Sequence, residues 1–154
     1  VMIRVLSSLR KQVVRTEGVE QLMTKLRSVT DCERYAVGVQ LLGERAMRSA
    51  NKELRGKDKV TDVLSIPAQN WTAPLTLAKG LSEAPDDLGD IYVCVPYVLR
   101  QKEHDDHNER LQLLLTHSYL HLVGYTHDED PDYHLMEQQE LVLMNKVGRI
   151  QLLQ

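Results

Sequence analysis

The chain has 154 residues, the size of one domain able to bury a real core. Its 42% hydrophobic and 27% charged residues are ordinary for a soluble globular protein, and no apolar run approaches the roughly 20 residues of a membrane span. A net charge of −3 argues against capture of nucleic acid by bulk charge but leaves room for a local basic groove.

The first 30 residues are basic and contain several serines, as transit peptides are. Their periodicity reads instead as fold. Residues 2–6 (MIRVL) form an expected edge strand. Residues 18–29 place Val19, Leu22, Met23 and Leu26 at steps of three and four, the period of an amphipathic helix. Residues 34–42 (RYAVGVQLL) alternate and are β-branched enough for a strand. Residues 43–54 return to helical spacing, with Ala46, Met47, Ala50 and Leu54 along one stripe and Gly56 as the C-cap.

Residues 60–66 read as a further strand, ended by Pro67. Residues 67–87 hold three of the five prolines and the sole tryptophan, Trp71, read as a cover over the core. A connection of this length is usually functional or disordered. Residues 88–95 form another strand, and Pro96 opens a short helix, where its missing N–H is no loss. Residues 106–124 are apolar on nearly every side, so this helix should be buried. Asp106 or Asn108 can cap it and Gly124 can close it. Pro131 opens a last amphipathic helix whose apolar residues are Leu135, Met136, Leu141, Leu143 and Met144. The expected architecture is one α/β (α+β) domain over residues 1–154. It has a small mixed sheet of about four strands packed with about five helices. Cys32 and Cys94 lie far apart in sequence and outside any CxxC pattern, and read as buried thiols.

Three of the six histidines stand in HSYLHLVGYTH, residues 117–127. Positions four apart share one face of a helix, so His117 and His121 point the same way. Gly124 permits the turn that returns His127 towards them. Desolvating three separate imidazoles offers nothing that leucine would not do better, whereas one metal ion accounts for all three. Three imidazoles plus a water form the open arrangement of catalytic zinc. Metzincin proteases share this spacing, but Ser118 occupies the place of their catalytic Glu, and serine is no carboxylate base. His104 and His107 read as a polar loop, and His134 as a surface or outer group.

HSYLHLVGYTH resembles the H-G-x-L-H-L-x-G-Y-D-H signature of the YbeY family of metal-dependent endoribonucleases. Residues 51–67 (NKELRGKDKVTDVLSIP) resemble that family's N-x-x-Y-R-x-x-D-x-x-T-D-V-L-S-F-P block, and LGDIYV its L-G-D-I block. The blocks stand in the family's order. Ser118 replaces the usual Gly, Thr126 an Asp, Ile66 a Phe and Leu54 a Tyr; Thr126 removes a carboxylate beside the third histidine.

The resemblance implies a hydrolase of single-stranded RNA acting in ribosomal RNA maturation, with small-subunit ribosomal proteins as partners and no membrane. It implies a cytoplasmic location in bacteria and an organellar, mitochondrial one in eukaryotes. It also implies one zinc or other divalent transition metal per chain, held by His117, His121 and His127. His117 and Arg55 would be catalytic, and Asp62 and Asp90 structural. A metal ion polarises a phosphoryl oxygen and lowers the pKa of bound water towards about 7. Arg55 offers a planar fork for the phosphate, and Lys57 and Lys59 extend a basic rim beside it. Two other readings remain open from sequence: a metzincin-like metalloprotease, which a carboxylate folded in near His117 would favour, and a ribosome-assembly factor with little catalysis.

Overall fold

Alternation along four segments builds one mixed sheet, and helices cover both of its faces. The computed structural model describes residues 3–68 and 86–154. Trp71 and most of the proline-rich stretch lie outside the described residues. The strands are β1 (Ile3–Ser7), β2 (Ala36–Leu42), β3 (Val63–Pro67) and β4 (Asp87–Cys94), in the order β1-β2-β4-β3. β1–β2 and β2–β4 are parallel, while β3 pairs antiparallel with β4 at the far edge. The helices are α1 (Thr16–Val29), α2 (Glu44–Arg55), α3 (Val95–Leu99), α4 (His107–Leu122) and α5 (Asp130–Val147).

Odd positions of β2 (Val37, Val39 and Leu41), with Ile91 and Val93 of β4, point into the main core, where α1, α4 and α5 deliver Leu22, Leu115 and Leu143. On the other face Met47 of α2 packs with Leu42, Leu64 and Cys94. Leu88 and Ile91 both reach the main core because β4 carries one extra residue against β2 between them. Gly89 permits that bulge at φ +122°, and a Cβ there would collide with the Ile66 carbonyl oxygen. This is the physical reason for the glycine in LGD. Arg4 of edge strand β1 reaches across to Asp87 at 3.2 Å and Asp90 at 3.4 Å, tying β4 to the first strand.

Two expected helix stripes differ from the structure. On α2 the buried residues are Met47 and Asn51, while Leu54 is 50% exposed. Asn51 is drawn inward because its side chain donates to Lys59 O at 2.9 Å and holds the following turn. On α5 the buried residues are Met136, Leu143 and Val147, and Leu135 and Leu141 face outward. The strand expected at residues 60–66 begins at Val63, since that same turn occupies the preceding positions.

Helix α4 is the central pillar, with ten buried residues on several of its sides. Asp106 caps it, accepting from Glu109 N at 3.0 Å. Near its start, Asn108 and Gln112 bind the backbone of the C-terminal tail. Asn108 donates to Ile150 O at 2.8 Å and accepts from Leu152 N at 2.7 Å, and Gln112 donates to Gly148 O at 2.7 Å. The other end of α4 carries the histidines.

Candidate metal centre and active-site cleft

His117 and His121 project from the last two turns of α4 at the expected four-residue step. The helix stops at Leu122, and Gly124 takes φ +104°. Tyr125 N then donates to Leu120 O at 3.0 Å, and the Tyr125 side chain is buried, so the turn is anchored from both sides. This reversal carries His127 back over the helix end. Ring centroids lie 4.8 Å apart for His117–His121, 5.5 Å for His117–His127 and 4.8 Å for His121–His127. One ligand atom from each of the three falls within 4.8 Å of the others. Among the described residues no other group of ligating side chains converges in this way. His107 instead bonds Gln101 O at 3.2 Å, and His134 is exposed beside Tyr133.

Whether these rings suit a cation is decided by their other nitrogens. His121 Nδ1 lies 3.0 Å from Tyr125 O. A carbonyl only accepts, so Nδ1 carries the proton and Nε2 keeps its lone pair. His117 Nδ1 is hydrogen-bonded to a carboxylate oxygen of Glu140 on α5. That contact likewise leaves His117 Nε2 turned towards His121 Nε2, 3.2 Å away. Burial lowers the His121 pKa to about 4, helped by the neighbouring His117. His121 is therefore neutral near pH 7 and available as a ligand. Two lone pairs facing each other across 3.2 Å, each oriented from behind, form a donor set that could hold a divalent metal. The residues present fit the group.

Glu140 was not legible in the histidine motif. Its signal lies in α5, where it continues the line of buried Met136 at a four-residue step, an acidic residue on an inward stripe. It does not stand where a metzincin base would. That position is Ser118, which is fully buried and whose hydroxyl bonds Ser65 of β3. Glu140 touches the side of His117 turned away from His121, where it orients the ring.

The triad opens into a cleft of about 560 Å³. Arg55, more than sixty residues away in sequence, lines it together with the three histidines and β3. The fold brings Arg55 there as the last residue of α2, stopped by Gly56 at φ +70°. Among the described residues no carboxylate pairs with its guanidinium. Lys57 and Lys59 are exposed on the following turn and do not line the cleft, and Asp58 between them is held by Arg48 at 2.8 Å. Asp62 accepts from Val63 N at 2.7 Å and sits 3.6 Å from Arg110, supporting the start of β3.

The family model described as Endoribonuclease YbeY matches residues 7–148. The chain belongs to the YbeY family. It is 32% identical over 149 residues to the Endoribonuclease YbeY of Desulforamulus reducens, covering 92% of this chain and 95% of that one. The YbeY of Leptospira interrogans is 34% identical over 129 residues, covering 77% and 89%. The human Endoribonuclease YbeY is 29% identical over 127 residues, covering 80% and 75%. A solution structure of a Thermotoga maritima protein superposes with a TM-score of 0.64 at 26% identity, covering 95% of this chain and 89% of that one. Within the YbeY signature, the serine that replaces glycine is thus absorbed by the packing of α4 on β3. Thr126, in place of the usual Asp, stays exposed at the cleft.

Proposed function

We propose that this chain is a metal-dependent endoribonuclease that cleaves single-stranded RNA. The observation that carries this reading is the convergence, in one cleft, of three imidazoles and an arginine from a distant helix with which no carboxylate among the described residues pairs. We assign one zinc, or another divalent transition metal, to His117, His121 and His127, a choice supported by an all-nitrogen donor set. A cation held there supplies Lewis acidity towards a phosphoryl oxygen and acidifies a water.

The chain's own residues do the rest. Glu140 and the Tyr125 carbonyl hold His117 and His121 in the tautomer that leaves Nε2 free. Arg55 places a fixed positive fork where charge grows on the phosphate. Lys57 and Lys59 act further out, along the path of the backbone. Family membership extends the proposal to ribosomal RNA maturation, with small-subunit ribosomal proteins as partners, in the cytoplasm of a bacterial source or the mitochondrion of a eukaryotic one. No described helix is long and apolar enough to cross a membrane.

A carboxylate does fold in beside His117, but on the Nδ1 side, where it orients the ring and lies away from the Nε2 atoms that would hold the metal. Peptide hydrolysis is therefore expected to be absent. The test is cleavage of labelled RNA and of peptides by wild type, Arg55→Ala and Arg55→Lys, normalised to metal content. Arg55→Ala should lose on the order of 10²–10³ in rate with metal and fold intact. Arg55→Lys should recover only part, because a point charge lacks the fork. Chelator-sensitive peptide cleavage without RNA cleavage would reverse the assignment.

A further inference from the structure

β3 is an edge strand, and its outer edge is one wall of the histidine cleft. The register tells which backbone groups face out. Cys94 N donates to Asp62 O at 2.8 Å and Ala68 N donates to Leu88 O at 3.0 Å, one at each end of the β3–β4 ladder. Bonded and non-bonded pairs alternate along an antiparallel ladder. Positions 64 and 66 therefore bond to β4, whereas Val63, Ser65 and Pro67 turn their backbone groups away from it. All three line the cleft, and among the described residues no strand pairs with them. Two of their donors are already removed. Val63 N–H is taken by Asp62 Oδ1 at 2.7 Å, and Pro67 has none. Among the described residues, the edge presents one N–H without a partner, on Ser65, against three carbonyl oxygens.

We infer that this acceptor-rich edge of β3 receives the amino groups of unpaired bases and makes the cleft prefer cytosine to uracil in a single strand. The inference rests on the endoribonuclease reading and deepens it. Cytosine carries an N4 amine donor where uracil carries an O4 acceptor, like that of thymine. A row of carbonyls accepts from the first and opposes the second. In a duplex the amines are held in base pairs, so the same edge disfavours paired RNA. An extended peptide is the other natural occupant of a free strand edge. It requires alternating donors and acceptors, and this edge has a single donor. The nearby Arg55 suits the phosphate backbone that a peptide lacks.

The test uses the metal-loaded full chain. Cleavage of oligo(rC) and oligo(rU) of equal length gives the ratio of kcat/KM, and anisotropy with oligo(dC) and oligo(dU) gives the ratio of affinities. Cytosine should win by about three- to tenfold in each, the worth of one net hydrogen bond. An oligomer of N4,N4-dimethylcytosine, with no amine hydrogens, should bind like oligo(dU). Pro67→Ala adds an N–H to the outer edge without touching the ladder, so the cytosine preference should fall towards one with metal content unchanged. Equal affinities for cytosine, its dimethyl form and uracil overturn the inference while RNA cleavage, if seen, keeps the nuclease reading. Loss of cleavage on every RNA defeats that reading, yet a cytosine preference in anisotropy would still support the edge. Extended peptides that displace both oligomers and bind more tightly than either overturn it.

Discussion

Asn108 and Gln112 near the start of α4, and His117 and His121 near its end, are both polar pairs four residues apart on a helix otherwise packed with leucine. Both amides commit their oxygen and their nitrogen to the chain's C-terminal tail. Asn108 accepts from Leu152 N and Leu153 N and donates to Ile150 O, while Gln112 donates to Gly148 O and accepts from Ile150 N. Every one of those partners is backbone of the tail. The imidazole pair is held from behind in the same manner, by Glu140 and Tyr125, but one nitrogen on each ring remains and the two face each other. A polar pair on a buried helix is structural when its hydrogen bonds close and chemical when they leave atoms aimed at a common point.

The sharpest way to break this contrast is to remove an imidazole. His117→Ala and His121→Ala should each weaken metal binding by more than the roughly 10–100-fold typical of an outer partner, and reduce RNA cleavage to background. Melting of the metal-free protein should hardly change. Calorimetric metal titration beside a thermal melt reads both quantities.

Asn108→Ala should do the reverse. It leaves buried tail groups, Ile150 O and Leu152 N, without partners, for a loss of about 2–4 kcal/mol. Metal affinity of the remaining folded protein should match wild type. Denaturant titration measures the loss, and equal loss of metal affinity per folded molecule would show that the two ends of α4 are not independent.

Glu140→Gln sharpens the role of the group behind the ring. The amide keeps the size but can donate, so His117 is no longer held in one tautomer. We expect metal affinity to fall by about 10–100-fold with the fold retained. Nitrogen chemical shifts of His117, read on isotope-labelled protein, should show its tautomers mixing. An unchanged tautomer and affinity would make Glu140 a packing residue only.

The smallest effect concerns acid. His121 has its pKa lowered from 6.5 to about 4 by burial, with His117 adding to the shift. In the metal-free protein the unfolded chain therefore binds the extra proton between these values. The contribution of His121 is fully present above about pH 6.5 and is lost as pH falls towards about 4. Melts of chelated wild type should fall more steeply over that window than those of His121→Gln. Parallel slopes would mean that other groups govern the acid response.

How far the sequence reached can be followed through particular residues. Helical spacing placed His117 and His121 on one face, and glycine placed the turn that returns His127, because both are local consequences of a 3.6-residue period and of one permissive backbone. Alternation and capping located the four strands and five helices to within a few residues for the same reason. Leu54 and Leu135, both among the apolar residues of their helices, lie outward, since apolar spacing alone does not say which of two adjacent stripes meets the core. Only the tertiary structure brought Arg55 to the histidines, set Glu140 behind His117 and turned the outer edge of β3 into the cleft. Each depends on how α2, α5 and β3 are laid against α4. That arrangement is decided by packing over the whole core and by strand register, and neither is written in the short-range pattern of any one segment.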